Sequence, residues 1–245
     1  VINSEFAFPY PLPTTDTPFT ATDPSKPKNS FNNSEVGLRL SYLLNGWDVS
    51  TFYLHTWNRS PVFYRTITPS GVFNFSPAYK RIDVIGATFA KEINDIVLKG
   101  EFVFNKDDYF SILDNQDADG IVRRSFLNYL LGLDYTFFGK IDTSLQFMQK
   151  IISHFPAFLA NEEELRNYLA LWIKTGFFNG KLEPELTVVT SLMEEDVMYR
   201  PRINLKIKNN WRFRFGTDIF QGRPSGIFGK FDKKSRLYSE LTYNF

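Results

Sequence analysis

Six cations recur at alternate positions late in the chain: Arg200, Arg202 and Lys206, then Arg212 and Arg214, then Arg236. Carboxylates Glu183, Glu185, Asp218 and Glu240 keep the same phase. Residues two apart share one face of a β-strand. A wall of such cations would attract anions and set ion preference. The same groups could instead close cross-strand ion pairs. The two roles are compatible, and both stay open at this stage.

Two smaller constellations carry chemistry of their own. In "DNQDADGIVRRSF", Asn115, Asp117 and Asp119 offer oxygen ligands at alternate positions, and Gly120 supplies the turn. This resembles the front of a calcium loop, but Phe126 stands where the bidentate Glu belongs. The alternative is a solvated acidic turn. Hydrolytic chemistry would need a histidine beside a nucleophile or an acid. Only His55 and His154 exist. The first keeps the phase of apolar neighbours, the second sits at a loop edge, and no G-x-S-x-G is present. No enzyme is expected, and no cofactor beyond calcium in the 114–126 loop.

The composition narrows the setting. A chain of 245 residues with 43% hydrophobic and 22% charged residues is too apolar for disorder. Aromatics reach 17%, which suits β structure and membrane interfaces. A net charge of +1 selects no nucleic acid. The absence of Cys excludes disulfides and thiolate sites. No apolar run is long enough for a membrane-spanning helix.

Period-2 alternation dominates after an irregular, Pro-rich stretch over 1–33. It predicts eleven strands, near 34–44, 47–57, 78–92, 96–104, 124–138, 141–152, 165–178, 181–191, 199–207, 211–221 and 232–245. The segment from Asn161 could open a helix, but Leu169, Leu171 and Ile173 alternating with Tyr168, Ala170 and Trp172 favours a strand. In "YRPRINLKI", Tyr199, Ile203 and Leu205 oppose Arg200, Arg202 and Lys206. Many of these strands exceed the roughly 5–6 residues usual in soluble sandwiches and suit the roughly 9–11 of a membrane crossing. Lipid tolerates strands only in a closed barrel. The expected fold is therefore all-β, an antiparallel transmembrane up-and-down β-barrel.

Connection lengths sort by end. Tight turns at Asn45-Gly46, Asn94-Asp95, Gly139-Lys140, Asn179-Gly180 and 208–210 alternate with long connections near 58–77, 105–123, 153–164, 192–198 and 222–231. Beside the tight turns, in apolar phase, stand Tyr42, Trp47, Tyr135, Phe137, Phe177, Trp211, Tyr243 and Phe245. That is the position of an interfacial aromatic girdle.

The closing "SRLYSELTYNF", with Tyr243 and Phe245, resembles the C-terminal signature of Gram-negative outer-membrane β-barrels. The resemblance implies that outer-membrane assembly machinery reads this strand. Residues 164–245 are similar to the end of a large proteobacterial barrel family of unknown function. The shared landmarks are "YRPR" at Tyr199 to Arg202, Gly222, and "FGKF" at Phe228 to Phe231. Residues 36–57 fit that family more loosely. The resemblance implies a porin-like outer-membrane protein with a suggested tie to export systems, and carries over no catalytic residue.

Three functions follow as expectations: a channel with a charged lumen, a non-conducting barrel whose long loops bind a partner, and a soluble carbohydrate-binding β protein. Lumen charges that pair tightly, or loops that fold inward, would favour the second. Eleven strands with the last one ending on the tight-turn side leave the first descending from the long-loop side. Residues 34–245 are thus expected to be the C-terminal part of a larger barrel in the lipid bilayer, with residues 1–33 as an extracellular loop and the remaining strands on a missing or separate N-terminal segment.

Overall fold

The computed structural model describes residues 19–113, 117–156, 158–160, 162–208 and 210–244. Among the described residues, fourteen strands form two sheets. In chain order they are β1 (Phe19–Ala21), β2 (Val36–Leu44), β3 (Trp47–Trp57), β4 (Val62–Ile67), β5 (Phe73–Ala78), β6 (Arg81–Ile93) and β7 (Ile96–Ser111). Then follow β8 (Ile121–Phe137), β9 (Ile141–Ile152), β10 (Leu165–Thr175), β11 (Leu182–Ser191), β12 (Val197–Lys208), β13 (Trp211–Gln221) and β14 (Arg236–Tyr243).

The large sheet is an antiparallel meander of eleven strands, ordered β2-β3-β6-β7-β8-β9-β10-β11-β12-β13-β14. All eleven expected strands are present; most ends shift by up to four residues, and β7 runs seven residues past its expected end at 104, into the expected 105–123 connection. Among the described residues no ladder joins β2 to β14, so the sheet is open and each edge strand has one neighbour. With an odd number of antiparallel strands, β2 and β14 run in the same direction.

Strand pairing fixes the faces. One carries Leu38, Leu40 and Tyr42 of β2, Ile85 and Phe89 of β6, Leu131 and Leu133 of β8, Leu171 of β10, Ile203 and Leu205 of β12, and Leu241 of β14. The other carries the charged series. The apolar face has no cover: Leu38, Leu40, Ile85, Leu133, Ile203 and Leu241 all remain exposed. Buried hydrophobic residues instead gather in two small clusters at the long-connection end of the sheet. One is Phe63, Phe75 and Ala160; the other is Phe110, Ile152 and Leu159.

Those clusters exist because two of the long connections are ordered. The 58–77 segment, expected to be a loop, forms the β4–β5 hairpin. Pro61 precedes it and Pro69 and Gly71 shape its turn, which leaves two strands too short for a clear alternation. β1 joins β5 in parallel, so the 1–33 stretch is irregular only in part. β6 therefore begins at Arg81 rather than 78. The last strand begins at Arg236 rather than 232, because Gly229–Lys234 form a 3-10 turn that packs Phe231 on Phe220.

The tight turns follow backbone chemistry. Asn45 and Gly46 both take positive φ, as a two-residue primed turn demands. The turn expected at Gly139-Lys140 uses Phe138 and Gly139, at φ 52° and 62°. Phe178 also sits at φ 52°, and both of these phenylalanines are largely exposed.

Glycine also makes room for rings across the ladder. Gly86 opposes Phe52, and a Cβ built there would come within 2.2 Å of the ring and 3.0 Å of the Phe102 carbonyl oxygen. Gly86→Ala should destabilise the protein by about 1–3 kcal/mol through overpacking. Phe52→Ala in the same chain should recover part of the loss. Denaturant midpoints of the single and double variants check this, and strictly additive losses would refute the contact.

Candidate functional site

The charged series gathers on β10 to β14, on the face opposite the apolar one. Glu185 is opposite Arg202, Arg214 opposite Glu240, and Asp218 opposite Arg236. The strands thus deliver side chains from the end of the sequence to one patch, through register alone.

Most of the charges pair. Asp218 is almost fully buried, at 1% exposure, and each of its oxygens accepts from one guanidinium: Arg200 Nε at 2.6 Å and Arg236 Nε at 2.7 Å. Glu183 lies between Lys206, at 2.9 Å, and Lys174, at 3.4 Å. Glu185 accepts from Arg202 and from the indole N–H of Trp172. Arg214 reaches Glu240 at 3.1 Å and donates to Asn204 at 2.8 Å. Arg212 makes no ion pair among the described residues and lines a cavity of about 300 Å³ with Lys206 and Arg214.

Pairing and surplus charge therefore coexist. Lys174, Arg200, Arg202, Lys206, Arg212, Arg214 and Arg236 outnumber Glu183, Glu185, Asp218 and Glu240 by three. Among the described residues, the anions hold six of these seven cations in ion pairs and leave Arg212 outside them. Exposed pairs such as Arg214–Glu240 contribute about 0–1 kcal/mol; the buried Asp218 has more to lose.

The aromatic positions lie as their phase requires. Tyr42, Trp47, Tyr135, Phe137, Phe177, Trp211 and Tyr243 are on the apolar face near the tight turns, and Phe245 lies outside the described residues. Trp211 and Tyr243 pack at 4.8 Å between ring centroids, Tyr135 and Phe137 at 4.6 Å. At the other end of this face the apolar surface stops. There Asp83 accepts from the Tyr53 hydroxyl and contacts His55 Nδ1, both at 2.7 Å. His154 lies in the connection after β9, its carbonyl accepting from Arg124 Nε.

Two of the three residues of the calcium reading are engaged in the turn itself. Asp117 Oδ1 accepts the backbone N–H groups of Asp119 and Gly120, and Asp119 Oδ1 accepts that of Ile121. These carboxylates close a turn of the kind Asp side chains favour. Arg65 of β4 ties it to the hairpin, donating to the carbonyls of Asp117 and Asp119. Asn115 lies outside the described residues. Among the described residues no group of three acidic or imidazole side chains gathers to hold a metal ion.

Sequence reasoning missed Asp196. It is 1% exposed, and its Oδ2 accepts the N–H groups of Phe228 at 2.6 Å and Gly229 at 3.3 Å. Gly222, at φ 139°, lets the chain pass: a Cβ there would fall 2.2 Å from the Asp196 Cβ. This contact fastens the β11–β12 connection to the β13–β14 connection. The only signal for it was the "FGKF" segment, which names the partner backbone but not the acid. Beside it, burial pushes the Glu194 carboxyl above its ordinary range, while the nearby Arg166 and the Ile227 N–H oppose the shift.

Fold and site together define an all-β protein: an antiparallel up-and-down sheet with one apolar face, one charged face and a layer of ordered connections at one end. The family described as Protein of unknown function (DUF1302) matches residues 3–180, and the chain belongs to it. The match contains residues 36–57 but only the start of the 164–245 stretch. "YRPR" and "FGKF" lie beyond the matched segment. No curated protein matches the chain.

Asp218→Asn should strip two guanidinium groups of their shared anion. Because Arg236 reaches solvent, the expected loss is about 1–3 kcal/mol. Glu240→Gln should cost less than about 1 kcal/mol. Thermal melting in detergent checks the order, and equal losses would show that burial of Asp218 carries no extra weight.

Proposed function

We propose that this sheet is a wall of an outer-membrane β-barrel that passes small solutes, anions in preference, along its charged face. The observation that carries this reading is the uncovered apolar face, which runs from Leu40 on β2 to Leu241 on β14 without interruption. Soluble proteins rarely expose contiguous apolar patches larger than a few hundred Å². The apolar spans also suit a crossing. From Ile96 to Phe104 on β7, and from Leu127 to Phe137 on β8, they match the roughly 9–11 tilted residues that a membrane strand needs. Aromatic rings flank one end of the span and the His55–Asp83–Tyr53 group the other. The cationic excess on β10 to β14 supports anion preference.

A second reading, a non-conducting barrel that presents its connections to a partner, is favoured by two observations. The charges on β10 to β14 are largely paired, and the β4–β5 hairpin stands against the charged side of the sheet, where Val62 and Phe63 line a cavity with Leu54, Val84 and Phe126. The two readings separate in a planar bilayer. The channel reading expects steps whose reversal potential in a chloride gradient follows chloride. Replacing residues 61–78 by a short Gly-Ser linker should raise the step size. Silence in both forms would select the non-conducting barrel.

Facing is tested separately. Leu205→Arg, on the apolar face, should block membrane assembly or destabilise it by about 2–4 kcal/mol near the midplane. Lys206→Glu, one residue along, should assemble and shift the reversal potential toward cations. Equal behaviour of the two variants would invert or abolish the assignment of faces.

A further inference from the structure

The charged face is not charged throughout. Away from β11 to β14, its positions include Phe52, Val103, Leu130, Met148 and Tyr168, on β3, β7, β8, β9 and β10. A wall made only for hydrated ions has no use for them. Water-filled lumens are polar, and apolar surface left in water costs about 25 cal/mol per Å².

These residues are organised around two cavities. Val103, Leu130, Met148 and Tyr168 line a groove of about 320 Å³. Toward the long connections, Leu54, Val84 and Phe126 face Val62 and Phe63 of the hairpin across a chamber of about 820 Å³. Volumes of this order suit small-molecule sites; the groove's apolar lane is bordered by Glu101, Asn128, Gln149 and Arg166. Lys150 lines both cavities and so stands at their junction.

Lys150 stands between two aromatic rings and a charged pair, for Glu162 also lies 3.7 Å from Arg166. Its ammonium donates to Glu162 at 2.9 Å and lies 4.8 Å from the centre of the Phe126 ring and 5.3 Å from that of Phe110. An ammonium has three N–H donors. One meets Glu162, and the ring faces hold the charge by cation–π attraction. Arg166 is directly opposite Lys150 on β10. The arrangement offers an apolar lane for a chain and, at its end, two cations that share the one carboxylate of Glu162.

We propose that the groove and chamber take an amphipathic carboxylate, a medium- or long-chain aliphatic acid, with its head at Lys150 and its chain along Leu130 and Met148. The inference rests on the reading of this face as the inner one. It deepens that reading by naming a substrate class that chloride conductance alone would not reveal.

The test uses the full chain in amphipol, so that no free detergent competes, with dodecanoate as the probe. Dodecanoate should displace a fluorescent polyene acid saturably. Dodecanol, with the same chain and no charge, should compete about tenfold less well. Lys150→Met should bring acid and alcohol to the same affinity, and Leu130→Asn should weaken both. Unchanged melting temperatures would show that both variants fold. Absence of saturable dodecanoate binding, or binding that neither variant alters, overturns the inference. Chloride conductance in the same preparation would then still stand, and the channel reading with it. Saturable binding that follows both variants, in a protein that carries no current, supports the site and removes the channel.

Discussion

Register is the constraint on which the rest of this structure depends. Side chains alternate along a strand, so a slip of one residue would exchange the two faces of the whole element. The guanidinium groups that reach Asp218 come from β12 and β14, one on each side of it. The Trp211–Tyr243 and Phe52–Gly86 contacts are equally matters of which residue stands opposite which. A shift in any one ladder would move charge toward the apolar side and leave an aromatic ring against the wrong neighbour. The alternation is clearest in the middle of β12 and β13, where Arg202, Asn204, Arg212 and Arg214 alternate with Ile203, Leu205, Phe213 and Phe215.

The sheet gains little from a core of its own, since its buried apolar clusters sit at its long-connection end. Its order rests on continuous backbone ladders between sequence neighbours and on cross-strand pairs of modest individual worth. The ordered end is different in kind. There the hairpin, the 117–120 turn and the Asp196 contact bind segments far apart in sequence. Arg65 joins β4 to the turn before β8, and Asp196 joins the connections on either side of β12 and β13. One molecule thus combines a locally built wall with a cap held by long-range contacts.

This division explains what the sequence made legible. Strands with period-2 alternation and tight turns with Asn-Gly are local signals, and the eleven strands and their facing could be read from them. The charged patch was visible for the same reason: Arg200, Arg202, Arg212 and Arg214 announce their phase. The β4–β5 hairpin was not visible, because its strands are short and its stabilising partners, Phe63, Phe75 and Ala160, come from two separated segments. Asp196 looked like one acid among three in "EED"; only the arrival of the Phe228 and Gly229 amides distinguishes it. The acidic spacing at Asp117 and Asp119 left two readings open, because oxygen atoms at alternate positions serve a turn as well as an ion. Leu130 and Met148 were in phase with charged residues, and no local rule separates an apolar lane from an ordinary interruption.

The two phenylalanines at the turn tips raise a question of energy balance. Left-handed backbone is unfavourable for a bulky residue, by about 1–2 kcal/mol each, and glycine or asparagine would relieve it. Phe138 is 89% exposed and Phe178 76%. Among the described residues, the ring beside Phe138 is the tilted one of Phe137, at 6.5 Å. The fold therefore carries a local cost at these tips that its own packing does little to offset. On the proposed reading the compensation lies outside the polypeptide, in the headgroup layer, where an aromatic ring is welcome. The turns would then be a little unstable in water and comfortable only at an interface, so that the medium completes the structure.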